Sequence, residues 1–394
     1  MARTKATARK TKTKPLPKRA LKSTPLPLEV CERIIDFVAL ALHPLRLYHI
    51  VCRFDKIQSA EDLSTYVAML RKYPIFTRYA HDLHIAPDWD AGEPTWLSAL
   101  PMRLGIQLRN VKCLTMSSRP SDPIHDFHPR FYLGLPLFLS VTELHYAFAS
   151  QSSHKHLLRV ASLLPNLQKL HVGGTVTWPD APSAIDAVKM MRMYPAKHHL
   201  KHVVLGHGIE SRVSASTADW LRAVNATATL ENLELWGSPS VMSNHDRRST
   251  LGGLVADSVK LESLTLCFNP TDLNFIDLQN NQTLRELEIM TDGAFADILA
   301  SVVRLLSDIT LPHLRDLTIR FNLLDDPDET TRQGLQLIDS LLSSARFCRL
   351  KQVSIDIDED LGMTFPRLSS AMVKVCVVDS EDASVLYARR HAQS

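Results

Sequence analysis

From residue 80 onward the chain repeats one pattern of apolar and polar positions, apolar-x-x-apolar-x-apolar, with copies starting at Ala80, Val111, Val141, Leu167, Leu200, Leu230, Leu261, Leu284, Leu314 and Leu350. Successive starts lie 23 to 36 residues apart. The last two apolar positions of each copy alternate with polar ones, which is the period of a strand with one buried face. Between copies apolar residues fall at helical spacing, as in Ile298, Val302, Leu305 and Leu306, or Leu335, Ile338, Leu341 and Leu342. Each repeat therefore predicts one strand and one helix. Such a unit cannot bury its apolar face alone and stacks on its neighbours.

The expected fold class is α/β, a leucine-rich-repeat solenoid with parallel strands on the concave face and helices outside. A doubly wound sheet also alternates strands and helices, but the recurrence of the strand signature itself favours the solenoid. Two copies extend to LxxLxLxxN, ending at Asn269 and Asn322, where the Asn side chain is expected to satisfy backbone groups as the chain leaves the strand. Asp292, Ser238, Thr175 or Asp358 stand at that place in other copies. The run Met372 to Val378 predicts a capping strand.

Ahead of the repeats the pattern changes twice. In LPLEVCERIIDFV, Val30, Ile34, Phe37 and Val38 share a helical face, with Pro27 and Glu29 suited to a first turn. A second helix begins at Ser59, capped by its hydroxyl, with Asp62 three residues on, Leu63, Val67 and Leu70 on one face, and Pro74 as its end. The expected division is a basic tail over 1–24, a helical segment over 25–58, a linker helix over 59–79 and the repeat array over 80–394.

Charge sharpens this division. Residues 1–24 hold nine Lys or Arg and no acid, and because the whole chain carries +3, the rest is −6. The tail has too few apolar residues to join a core and repels itself. No stretch approaches the ~20 apolar residues of a membrane span, and the polar, basic start is unlike a secretory signal. Six cysteines without CxxC spacing fit neither a disulfide framework nor a structural zinc site, which points to a reducing cytoplasmic or nuclear setting. P-loop, GxGxxG, HExxH and GxSxG motifs are missing. His198, His199 and His202 cluster without a motif and read as solvated loop histidines. The sequence thus gives no catalytic residue, metal ligand or cofactor site, and predicts no enzyme.

Two resemblances add to this. LPLEVCERIIDFV resembles the opening of an F-box, and the array behind it is similar to the substrate-binding half of fungal F-box-like proteins, as is the stretch RLYHIVCRFDKIQSAEDLSTYVAMLRKYPIFTRYAHDLHI. The resemblance implies a Skp-type adaptor bound near Leu26, Pro27, Val30, Ile34 and Ile35, a cullin ubiquitin ligase beyond it, and an unknown protein substrate held by the repeats. Val51, Cys52 and Arg53, with Phe54 near the family's Trp position, are either the end of a complete F-box or part of a following strand in which Tyr48, Ile50 and Cys52 alternate. On the second reading the F-box lacks its middle and adaptor binding fails.

The tail segment ARTKATARK, Ala2 to Lys10, resembles the tail of the third core histone at every place except Ala6. That resemblance implies a histone-tail reader or writer acting on Ala2, Arg3, Lys5, Arg9 and Lys10. The competing reading is a basic arm, an import signal around Lys14 to Lys22, or a segment that touches nucleic acid non-specifically.

The polar positions inside each strand motif should face away from the core, where solenoids bind partners. They are His84, His145, His171 and His202 in the first half, then Glu234, Glu286, Glu288 and Asp316 in the second. Trp236, one pleat beyond Glu234, is expected to stand exposed on that face as an anchor. The acidic half is expected to take a Lys/Arg-rich segment of a substrate or of the chain's own tail.

Overall fold

The structure, a computed structural model of the 394-residue chain, describes residues 56–88, 94–118, 127–147, 154–173, 192, 199–206, 211–237, 245–293, 295–307, 309–323, 329–356, 365–371 and 373–378. All of them belong to the unit Val51–Ser394. The tail residues Ala2, Arg3, Lys5, Arg9 and Lys10 lie outside the described residues, as do Leu26, Pro27, Val30, Ile34, Ile35 and the stretch 48–54.

Twelve strands form one sheet in strict sequence order, every neighbouring pair parallel. They are β1 (Lys56–Ile57), β2 (Asp82–Ile85), β3 (Cys113–Ser117), β4 (Glu143–Ala147), β5 (Lys169–Val172), β6 (His202–Leu205), β7 (Asn232–Trp236), β8 (Ser263–Cys267), β9 (Glu286–Gly293), β10 (Asp316–Leu323), β11 (Gln352–Asp356) and β12 (Lys374–Val378). Parallel neighbours need a crossover between them. Among the described residues these crossovers contain ten helices: α1 (Ala60–Lys72), α2 (Leu100–Leu104), α3 (Pro129–Gly134), α4 (His154–Leu163), α5 (Ser211–Ala223), α6 (His245–Asp257), α7 (Pro270–Leu273), α8 (Phe295–Ser307), α9 (Glu329–Leu342) and α10 (Pro366–Ser370). Successive helices pack on one another, α5 on α6 and α8 on α9. The order of the strands makes this a solenoid rather than a doubly wound sheet, whose strand order reverses at a switch point.

The periodic apolar positions build the core. All ten repeat-start residues are buried, the least so being Leu350 at 7% exposure. The second and fourth strand residues also stack in register, Leu83 on Leu114, Leu144 and Leu170, and Ile289 on Ile319 and Ile355. They share one core with Ile298, Val302 and Leu306 of α8 and Leu335, Ile338 and Leu342 of α9. Helices thus cover one side of the sheet, and the first, third and fifth strand residues form the other.

Two ladders the apolar pattern does not reveal tie the repeats together. One carbonyl per repeat, in the residue just before the strand, accepts two consecutive N–H groups of the next repeat. It runs from His81, which takes Lys112 and Cys113 at 2.6 and 3.0 Å, to Arg315, which takes Lys351 and Gln352 at 2.8 and 3.0 Å. The residue before the repeat start supplies the second ladder. The hydroxyls of Ser140, Thr229 and Thr283 donate to the carbonyls of Val111, Leu200 and Leu261 at 2.7, 2.9 and 2.8 Å, and the Asn166 amide donates to Leu139 at 2.6 Å. These groups satisfy backbone acceptors in the part-buried or exposed turns between repeats.

Three expectations change. The sheet begins at Lys56, inside the segment drawn as 25–58, because β1 pairs with β2 although it carries no repeat motif. The helix expected as a linker over 59–79 is α1 of the array. Its Ser59–Asp62 capping box is present, with Ser59 Oγ accepting from the Asp62 N–H at 3.1 Å, and Leu63, Tyr66, Val67 and Leu70 enter the common core. The expected Asn role also differs at Asn269, which precedes α7 with no side-chain capping bond, while the Asn322 backbone remains within β10, paired with Asp292, and its side chain lies outside what the structure describes. The capping strand appears as β12.

Candidate functional site: the open face of the sheet

On the face away from the helices, third-position residues follow one another across the sheet: His84, Thr115, His145, His171, Val204, Glu234, Thr265, Glu288 and Thr318. First-position residues run beside them, among them Cys113, Glu143, Lys169, His202, Asn232, Ser263, Glu286 and Asp316. Strands ~4.8 Å apart bring such neighbours into contact. The face expected from the sequence therefore exists, and its character changes along the array in three zones.

The first zone is a histidine cluster. The rings of His145 and His171 stand 4.8 Å apart between centroids, and those of His171 and His202 meet edge to face at 6.3 Å. Nε2 of His145 donates to Glu143 Oε1 at 2.6 Å, and Lys169 Nζ lies 3.5 Å from Glu143 Oε2. The hydrogen bond from His145 is the main reason the Glu143 carboxyl falls to about 2. Burial pulls the His145 imidazole down, but hydrogen bonds with Cys113 and Glu143 outweigh it and raise the ring to about 9. His171 moves the other way, to about 4, through burial and then the positive charge of His145. His84 is lowered by burial and then by Lys56, and its Nε2 is hydrogen-bonded to Ser117 Oγ at 2.6 Å. The zone thus keeps one charged imidazole beside a carboxylate and leaves its neighbour neutral.

One ligand set emerges here that the sequence reading did not anticipate. The donor atoms of Cys113, Glu143 and His145 all lie within 4.8 Å of one another. Cys113 stands about thirty residues from its partners, beyond any short-range metal motif, so only strand register reveals the set. His202, read from the sequence both as a loop histidine and as a residue of this face, is the first residue of β6, its Nε2 3.4 Å from Glu234 Oε1.

The second zone is apolar. Trp236 lies on the Glu234 side of β7 as expected, but it is buried at 7% exposure in a small cluster with Val204, Met290 and Cys267, separate from the main core. This corrects the expectation of an exposed anchor. An apolar third-position residue on β6 and a methionine two strands away enclose the ring.

The third zone is acidic but partly neutralised. Arg320 Nε lies 2.9 Å from Glu288 Oε1, and Thr265 Oγ1 donates to Glu288 Oε2 at 3.4 Å, so Glu288 is not open to a partner as expected. Arg320, the fifth residue of β10, is not among the face residues expected from the sequence, which include a fifth strand position only at Trp236. Glu286 and Asp316 remain. They are exposed, directly opposite each other on β9 and β10, and form no ion pair with any described residue. Like charges opposite each other in a sheet repel.

A single-face parallel sheet in sequence order, with stacked leucine columns and one helix or turn per repeat, defines a leucine-rich-repeat solenoid. No family model matches the chain, and no curated protein matches it. Among solved structures the chain is similar to a protein from Bacteroides fragilis, at 13% identity over 76% of this chain and 75% of the other, with a TM-score of 0.42. It is also similar to the Rad7 and Elc1 complex of yeast, at 14% identity over 89% of this chain and 85% of the other, with a TM-score of 0.33. At these scores neither likeness bears on function, and the architecture stands on the strand register of the chain itself.

Proposed function

We propose that this chain is a non-catalytic protein-binding scaffold that holds a Lys/Arg-rich segment of a substrate on the acidic end of its open face, and that its F-box-like segment delivers that substrate to a ubiquitin ligase through a Skp-type adaptor. The observation that carries the first half is the pair Glu286 and Asp316, two exposed carboxylates side by side in the sheet and without a cation among the described residues. Such a pair is held together by the fold at an electrostatic cost that a basic partner removes. The second half rests on the resemblance of Leu26, Pro27, Val30, Ile34 and Ile35 to an F-box opening.

Each half has its own test on the full-length chain. Basic-peptide binding should weaken when Glu286→Lys and Asp316→Lys are combined, and unchanged affinity overturns the acidic-end reading. Co-purification with a Skp-type adaptor should be lost in Ile34→Asp, and a wild-type chain that captures no adaptor overturns the ligase role. In that event the histone-like tail favours the second reading, a chromatin-associated scaffold without adaptor contact.

A further inference from the structure

Thiol, imidazole and carboxylate converge at one spot on the open face, on two neighbouring strands. Cys113 opens β3, Glu143 sits beside it in register on β4, and His145 follows Glu143 by one full pleat on the same side. Their donor atoms lie within 4.8 Å of one another, with His145 and Glu143 already 2.6 Å apart. All three are half-buried, neither lost in the core nor fully hydrated. His171 on β5 borders the set, its ring centroid 4.8 Å from that of His145, but is not one of the three converging donors.

We propose that Cys113, Glu143 and His145 form a binding site for a zinc-class divalent cation. The donor chemistry selects the ion. Hard cations such as Ca²⁺ and Mg²⁺ prefer oxygen shells, whereas a sulfur, a nitrogen and a carboxylate oxygen together suit Zn²⁺ and its congeners. Bonds of about 2.0–2.3 Å around a tetrahedral ion hold the ligand atoms roughly 3.3–3.8 Å apart. The three donors, already within 4.8 Å of one another, come to that spacing by side-chain rotation, and the cation displaces the proton that His145 gives to Glu143. Paired strands fix the Cβ positions better than a loop does, which favours a defined geometry. Lys169, whose Nζ is 3.5 Å from Glu143 Oε2, is exposed and can swing away as the cation takes its place. The ion clamps β3 to β4 on the face and is independent of the acidic end at Glu286 and Asp316.

The test uses the full-length, reduced protein without a polyhistidine tag, with Co²⁺ as the optical probe. Stoichiometric Co²⁺ should produce a thiolate-to-cobalt charge-transfer band in the near ultraviolet that Zn²⁺ abolishes. The band should vanish in Cys113→Ser and persist in Cys267→Ser. Glu143→Gln and His145→Gln should each weaken Zn²⁺ by more than about a hundredfold, beyond the cost of losing an outer-shell partner. Zinc should also slow alkylation of Cys113 in the wild-type chain, read by mass spectrometry of its peptide, a measurement that needs no variant to fold. A wild-type chain without the band, a band that survives Cys113→Ser, or a Cys113 alkylation rate indifferent to zinc overturns the site.

Discussion

Acid should weaken this fold through one histidine that the sequence gives no reason to notice. His154 opens α4 and is wholly buried, its Nε2 hydrogen-bonded to Thr217 Oγ1 at 3.0 Å and its Nδ1 to Ser216 Oγ at 3.2 Å, both on α5. Burial lowers its pKa from 6.5 to about 3. Because the folded value is depressed, the unfolded chain takes up the proton first. The stabilising contribution is complete above 6.5 and is lost as pH falls from there toward about 3. Each pH unit in that window removes ~1.4 kcal/mol, so a drop from neutrality to pH ~5 removes about 2 kcal/mol through this residue alone. His171, lowered to about 4, adds a loss of the same sign, so the comparison needs a variant. His154→Gln keeps an amide for the two hydroxyls and removes the titration. Urea denaturation of wild type and variant at both pH values should show the wild type losing about 2 kcal/mol more, and the His154 ring proton in an NMR titration should stay unshifted down to pH ~5. A His154 resonance that titrates near its ordinary value, or equal acid sensitivity in the two proteins, would refute the reasoning.

Other tests reach different parts of the array. Asn281 is fully buried and donates to the carbonyls of Val255 and Ser258 at 3.0 and 2.8 Å, and each carbonyl also accepts a backbone N–H, from Ser258 and Leu261, so Asn281→Ala removes two hydrogen bonds without stranding an acceptor and should cost roughly 1–3 kcal/mol in the same denaturation assay. Asp339, on α9, accepts the N–H groups of Arg367 and Leu368 at 3.2 and 2.9 Å at the start of α10, so Asp339→Ala should loosen the last repeats by about 2 kcal/mol, seen as faster amide exchange confined to β12 and α10. A Cβ at Gly252 would stand 2.1 Å from the Phe275 carbonyl oxygen, so Gly252→Ala should destabilise despite alanine's better helix propensity, and a raised melting temperature would contradict that packing. Peptide binding at Glu286 and Asp316 should fall steeply between low and physiological salt, because exposed charges are screened over about 8 Å at physiological salt, and salt-independent binding would exclude a charge-driven contact.

What the sequence determined by itself is the part of this protein that repeats locally. Burial of Leu83, Leu114 or Leu287 follows from a period of two within one strand, and the Ser59 cap follows from four consecutive residues. Neither needs knowledge of distant chain. The open face depends on what lies one strand over, and that neighbour stands 23 to 36 residues away across crossovers of unequal length. Trp236 was legible as a residue of that face, but its burial was decided by Val204 and Met290 on other strands. Glu288 was legible as acidic, but its partner Arg320 comes from the fifth position of the next strand. Cys113 and Glu143 carried no motif, and parallel register alone makes them neighbours. Periodicity fixes which way a side chain points, whereas tertiary register fixes what it meets, and the chemistry of this face belongs to the second.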